Sequence, residues 1–239
     1  MHGIKYKDCN LMGKNQISLC LFADAAPLYA SSKKSLSVMF SSIIELPQKV
    51  REAKENILVH SLIIGNSIDF NKWYSSITKM FPDLFNHKNV VKSFNPFLFT
   101  SIFDLPARAK AMNMINHAGY YACINCEVKG EYGLNKVYYP YINTLPLRDR
   151  NKYKLCLKEI SNKKTSQINR KGEDYLKGIK GPTVLSEQLD VVHDVVYDYM
   201  HLCCEGYIKR FLKLILNAPV HKKKLGVFKD YYIGRYRNF

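Results

Sequence analysis

The sequence predicts an α/β domain in which a mixed sheet is flanked by helices. Three observations carry that expectation. Short apolar or β-branched runs are bounded by chain breakers, stretches with apolar residues at helical spacing lie between them, and 47% of the 239 residues are hydrophobic, enough for a sizeable core.

Residues Ile17 to Asp24 form a short apolar run leading into Pro27, which reads as a buried strand ending in an aspartate. Leu36 to Ile44 and Asn56 to Ile64 suit the next two strands. From Ser67 to Phe81 the apolar positions Phe70, Trp73 or Tyr74, Ile77 and Met80 or Phe81 fall on one side of an amphipathic helix. Pro96 to Phe103 is a further strand followed by a second aspartate, Asp104, and Pro106 to Asn116 reads as a helix with proline in its first turn. Three strands, a helix, a strand and a helix is the order of a ribonuclease H-like α/β domain. There is no internal repeat, low-complexity tract or Gly/Ser-rich linker.

Charge points to a partner. Lysine plus arginine number 36 against 20 aspartate plus glutamate, a formal net charge of +16. Between Arg148 and Phe239 there are 20 basic and 10 acidic residues, so +10 of that excess sits in this stretch. A surplus of this kind favours a polyanion, because each neutralised phosphate releases a counterion. Lys152, Lys154, Lys163, Lys164, Arg170 and Lys171 belong to this stretch and could meet nucleic-acid phosphates, although a single lysine is more often a solvated surface charge. Tyr138, Tyr139 and Tyr141 could stack on an unpaired base or line one face of a strand. Lys222, Lys223 and Lys224 could belong to a nuclear import signal or to a solvated loop.

Seven cysteines are an odd set, too sparse for a disulfide scaffold, and fit a reducing compartment. Asp24 interrupts the stretch from Ile17 to Ala30 that a signal peptide would need to be apolar, and no run reaches the length of a membrane span, so no membrane association is expected.

Chemistry enters with the two aspartates. An ionised carboxylate half-buried at a strand end needs a cation or a donor, and Mg²⁺ is bound through one or two such carboxylates, with its other positions left to water and phosphate. A strand-end turn or a helix cap is the plainer reading, and Leu-Pro-Ala after Asp104 suits a cap. Cys123 and Cys126 form a Cys-x-x-Cys pair, which could supply half of a tetrahedral zinc site, act as a redox dithiol, or pack as two thiols. Asp198 and His201 form a D-x-x-H pair at helical spacing. Phe211 to Leu216 continues an apolar helical face expected in a core.

Several separated blocks together resemble CACTA-type (En/Spm-like) DNA transposases and transposase domain-containing proteins. The first runs Leu21-Phe-Ala-Asp24-Ala-Ala-Pro-Leu-Tyr-Ala-Ser31-Ser32 and continues through Glu45-Leu-Pro, Arg51 and Glu55-Asn56-Ile. Asp104-Leu-Pro-Ala-Arg-Ala, Gly119-Tyr-Tyr-Ala-Cys123-Ile-Asn-Cys126, Gly130 and Val137-Tyr-Tyr-Pro follow in order, then Gly178-Ile-Lys-Gly-Pro182 and Val196-Tyr-Asp198-Tyr-Met-His201-Leu-Cys-Cys-Glu-Gly206. The resemblance spans about Leu19 to Asn217, with Ala25 standing where the family usually has glycine.

The resemblance implies a DDE/D nuclease that cuts a DNA strand at a transposon end and joins the freed 3′ hydroxyl to target DNA, using Mg²⁺ or Mn²⁺. Asp24 falls on the first family aspartate and Asp104 on the second. The third acid, normally a glutamate on a helix after a long helical insertion, has no candidate here; Glu205 comes too early in the family order. The resemblance therefore implies a ribonuclease H-like sheet truncated within that insertion, with a lead-in over 1–16, a partial catalytic core over 17–200 and the start of the insertion over 201–239. It also implies that Cys123 and Cys126 hold Zn²⁺ together with histidines after the insertion, leaving a partial site, that His117 is a surface or packing residue, and that Asp198 and His201 support the active site. Nuclear localisation, or a cytoplasmic location for a decayed gene product, and a homo-oligomer for the longer protein follow. Two functional classes remain: a partial transposase core, inactive without the third acid, and a domesticated, non-catalytic DNA-binding or interaction protein.

Overall fold

The computed structural model describes residues 16–29, 34–66, 68–79, 95–133, 135–162 and 176–217. The chain divides into two compact units, Met1–Val196 and Tyr197–Phe239.

The first unit is an α/β domain built on a mixed five-stranded sheet. Its strands β1 (Gln16–Pro27), β2 (Ser35–Ile43), β3 (Leu58–Gly65) and β4 (Asn95–Phe103) fall on the four apolar runs, and β7 (Val195–Tyr197) completes the order β3-β2-β1-β4-β7. Pairing with β2 carries β1 past Asp24 to Pro27, so the first aspartate lies within its strand and not at its end. β1 runs antiparallel to β2, with Asp24 opposite Val38, and parallel to β4, with Ala23 beside Phe103. β3 runs antiparallel to β2. Side chains alternate across a pleated strand, so Leu19, Leu21 and Ala23 share one face with Ser41, Met39 and Ser37, all buried. Cys20, Phe22 and Asp24 lie on the other face with Ser42, Phe40 and Val38, and the Phe22 and Phe40 rings stack at 5.0 Å. Between β2 and β3 the chain makes a single helical turn, α1 (Gln48–Arg51), followed by a 3₁₀ turn over Lys54–Asn56. That turn explains why β3 begins two residues later than the sequence suggests.

Helix α2 (Phe70–Thr78) covers the face that carries Leu19 and Leu21. It buries Phe70, Trp73, Tyr74 and Ile77, the predicted apolar stripe, and the Phe70 ring meets Phe103 edge-on at 5.6 Å. Burying each such side chain contributes roughly 1.5–3 kcal/mol. The helix starts at Phe70, not Ser67, because Asp69 is the cap, its carboxylate accepting from the Lys72 amide at 3.2 Å. Ser67, Met80 and Phe81 lie outside the described residues. Helix α3 (Leu105–Ala111) is shorter than the expected Pro106 to Asn116. Asn113 takes a positive φ of 49° and Met114 bridges to Ile179, which turns the chain out of the helix.

Beyond α3 the unit contains a hairpin, β5 (Glu131–Gly133) with β6 (Lys136–Tyr138), and helix α4 (Arg150–Asn162). The 3₁₀ turns Leu176–Gly178 and Val184–Glu187 follow. Gly178 has φ of +85°, and a Cβ there would lie 2.2 Å from the Tyr121 carbonyl oxygen, so neither its backbone nor its surroundings admit a side chain.

The second unit is helical over Met200–Ile208, wound as a wide π-helix, and continues as α5 (Lys209–Asn217). A Cβ on Gly206 would approach the His201 carbonyl oxygen to 2.8 Å, so glycine suits this close winding. The expectation that Phe211 to Leu216 is core is not met: Phe211, Leu212, Leu214 and Leu216 are exposed. Periodicity fixes which side of a helix is apolar, not what lies against it.

Candidate functional site

Asp24 and Asp104 line one cleft of about 300 Å³. The topology accounts for this: β1 and β4 are adjacent and parallel, Ala23 is beside Phe103, and each aspartate is the next residue along its strand direction. Ser35 and Ser37 from β2, Asn66 after β3, Phe70 and Trp73 from α2, and Ala107 and Lys110 from α3 complete most of the wall. Ligand sites in α/β sheets commonly lie beyond the carboxyl ends of parallel strands.

One oxygen of each carboxylate is engaged locally. Asp24 Oδ1 accepts from the Ala25 amide at 2.7 Å, and Asp104 Oδ1 accepts from the Ala107 amide at 2.7 Å, capping α3. The cap foreseen for Asp104 and its membership of the cleft therefore coexist. The second oxygen of each takes no hydrogen bond among the described residues. Two oriented carboxylates with spare oxygens, in a cleft with room for water and phosphate, fit a hard divalent cation. Trp73, in the cleft wall, buries its indole N–H without a partner among the described residues.

Cys123 and Cys126 are brought together in a tight turn. Their thiols share a hydrogen bond, and burial, followed by the smaller effect of Cys123, pushes the Cys126 thiol up against the pull of the Val128 amide. Arg148 is buried behind them, donating from Nε to the Cys123 carbonyl at 3.0 Å and the Cys126 carbonyl at 3.1 Å, and from Nη2 to the Lys177 carbonyl. Tyr139 donates its hydroxyl to the Gly119 carbonyl at 2.5 Å and accepts from the Ala122 amide at 2.8 Å. Two sulfurs in one turn fit half of a tetrahedral zinc site. Among the described residues no group of three His, Cys, Asp or Glu side chains is placed to hold a metal ion.

Asp198 and His201 belong to the second unit. Asp198 opens its helix, accepting from the Met200 amide at 2.9 Å and the His201 amide at 3.3 Å, and its other oxygen meets His201 Nδ1 at 2.7 Å. Burial works to raise the Asp198 carboxyl, but the hydrogen bonds from the His201 ring, the two amides and the nearby imidazole hold it below its ordinary value.

Lys152 and Lys154 lie exposed on α4, and Lys152 Nζ reaches the Leu147 carbonyl at 3.0 Å and Asp149 at 3.6 Å. Lys163, Lys164, Arg170, Lys171 and the lysines at 222–224 lie outside the described residues. The three tyrosines do not share a strand face. Tyr138 ends β6 with Lys136 over its ring at 4.9 Å, Tyr139 braces the cysteine turn, and Tyr141 is exposed. His117 is exposed.

Sequence reasoning missed Lys110, Trp73 and Arg148. Trp73 was visible only as part of an apolar stripe, and Lys110, six residues from Asp104 and so about 120° from it around a helix, carried no spacing that marked a shared cleft. For Arg148 the sequence holds no signal, since its three acceptors come from distant segments. Compared with models of known protein families and with curated proteins, the chain matches none.

Proposed function

We propose that this chain is the two-aspartate part of a ribonuclease H-like DDE/D transposase core, acting in the nucleus on transposon ends and target DNA. The observation that supports this reading most is the convergence of Asp24 and Asp104 in one cleft, each directly beyond the paired residues Ala23 and Phe103 of neighbouring parallel strands. The strand order β3-β2-β1-β4-β7, with β1 to β3 antiparallel and β4 parallel to β1, is the arrangement such a core requires.

Asp24 and Asp104 would hold Mg²⁺ or Mn²⁺. Bound there, the metal supplies Lewis-acid activation of a water or 3′ hydroxyl and stabilisation of the leaving oxygen. The protein's part is orientation. The Ala25 and Ala107 amides fix one oxygen of each carboxylate and leave the other turned to its task. Phe70 and Trp73 give the cleft an apolar wall that limits water. A third acid, implied by the resemblance, would complete the set.

A titration of the 239-residue protein with Mg²⁺ and Mn²⁺, read as thermal stabilisation and as DNA-strand cleavage, tests this reading. Metal should raise the melting temperature of the parent and not of Asp24→Asn/Asp104→Asn, since only a ligand of the folded state stabilises it. Equal stabilisation of both proteins would remove the aspartates from the site. Stabilisation and DNA binding without cleavage fit a two-aspartate core lacking its third acid and a domesticated, non-catalytic protein alike, whereas metal-dependent cleavage lost in the variant would put a third ligand within this chain.

A further inference from the structure

The cleft contains a charge that the two-aspartate reading leaves unused. Asp104, Ala107 and Lys110 stand at positions i, i+3 and i+6 of one short helix and all three line the cleft. Each step of three residues keeps successive members adjacent on the helix surface, and the alanine between the two charged residues adds little bulk to the cleft wall. The neighbouring cation of the same helix, Arg108, is turned inward and buried. Lys110 is exposed, and its side chain makes no ion pair or hydrogen bond among the described residues, although it shares a cleft with two carboxylates. An ammonium that stops beyond ion-pair distance of both carboxylates leaves a gap between opposite charges.

Charge balance identifies what fits the gap. The two carboxylates and one ammonium give the lining a formal charge of −1, since its other residues are uncharged. In that state the cleft repels a phosphodiester. One divalent cation turns the formal charge to +1, which a single phosphodiester at −1 neutralises. Resting on the two-aspartate reading, we propose that Lys110 is a phosphate-binding residue. Its Nζ contacts a non-bridging oxygen of the DNA phosphate seated against the aspartates, and the contact forms only when the carboxylates hold a divalent cation. A lysine suits a point contact of this kind, as its ammonium has three rotatable donors.

Fluorescence anisotropy with a short duplex DNA, measured in Ca²⁺ and in EDTA over a range of salt, tests the proposal without requiring turnover. The parent should bind more tightly in Ca²⁺. Lys110→Ala should lose that increment and reduce the slope of log affinity against log salt by about 0.9 in Ca²⁺, the value for one duplex phosphate contact, with no change in EDTA. Lys110→Arg should keep both. An increment that survives in Lys110→Ala but disappears in Asp24→Asn overturns the role of Lys110 and leaves the aspartate site standing. Absence of any increment in the parent overturns both. Unaltered thermal unfolding of Lys110→Ala, whose side chain is exposed, would separate a lost contact from a lost fold.

Discussion

The cleft near the carboxyl ends of β1 and β4 and the turn that carries Cys123 and Cys126 both gather polar groups from neighbouring segments, but they handle polarity in opposite ways. In the cysteine turn the polar groups are satisfied from within. Arg148 donates to three carbonyls, Tyr139 both donates and accepts, and the two free thiols share a hydrogen bond. In the cleft each aspartate commits one oxygen and keeps the other, Lys110 has no partner among the described residues, and the Trp73 indole N–H is buried without one. A group left unsatisfied costs stability. The turn therefore acts as a brace, whereas the cleft carries the features of a place prepared for a ligand.

The largest effect expected of this contrast lies in the turn. Arg148→Met removes the donor to three carbonyls in a buried setting and should lower unfolding stability by about 3 kcal/mol or more in urea denaturation. A loss below about 1 kcal/mol would mean that water replaces the guanidinium and that the turn is not a brace. Next comes Gly178→Ala beside it, where a positive φ and the Tyr121 carbonyl both oppose a methyl group. That change should cost on the order of 2 kcal/mol by the same measurement.

The cleft should respond more weakly in stability and more strongly in binding. Asp104→Ala removes the α3 cap and should cost about 1 kcal/mol, whereas Asp104→Asn, itself a capping residue, should cost only a few tenths. Both should abolish metal-induced stabilisation. If Asp104→Asn kept the metal response, the aspartate would be a cap and nothing more.

The smallest effect is an alkaline pH dependence, to which the buried thiols contribute alongside Tyr74, Tyr139 and Tyr153, whose hydroxyls burial also pushes up. Burial holds Cys126 and Cys156 above their ordinary value near 9 and raises Cys20 to about 12, so these thiols stay neutral in the fold while the unfolded chain ionises. Their contribution is complete below pH 9 and is lost as pH rises beyond it, through to about 12 for Cys20. Unfolding measured between pH 8 and pH 10 should show this decline, with a shallower slope for Cys20→Ala. An unchanged slope in that variant would assign the alkaline loss to other groups.

Much of the α/β framework was legible because strands and helices leave local periodicities. The runs that became β1 to β4 are readable as continuous apolar or β-branched stretches, and the stripe Phe70, Trp73, Tyr74 and Ile77 at spacings of three to four residues. Boundaries were less so, since Asp69 and Asn113 end or begin helices through one hydrogen bond or one dihedral angle. The exposed leucines of α5 mark the same limit from another side: amphipathicity was evident, burial was not.

The sequence by itself determined that an aspartate stands at the end of each of two apolar runs, that two cysteines stand three residues apart and that a large positive charge is present, because each is a property of neighbouring residues or of their sum. Only the tertiary structure decided that β1 and β4 lie side by side and parallel, so that residues 80 positions apart meet in one cleft. It alone placed Lys110 and Trp73 in that cleft and Arg148 behind the cysteines. Strand order and side-chain satisfaction depend on contacts between distant segments, and the free energy that selects them comes from burying those segments together.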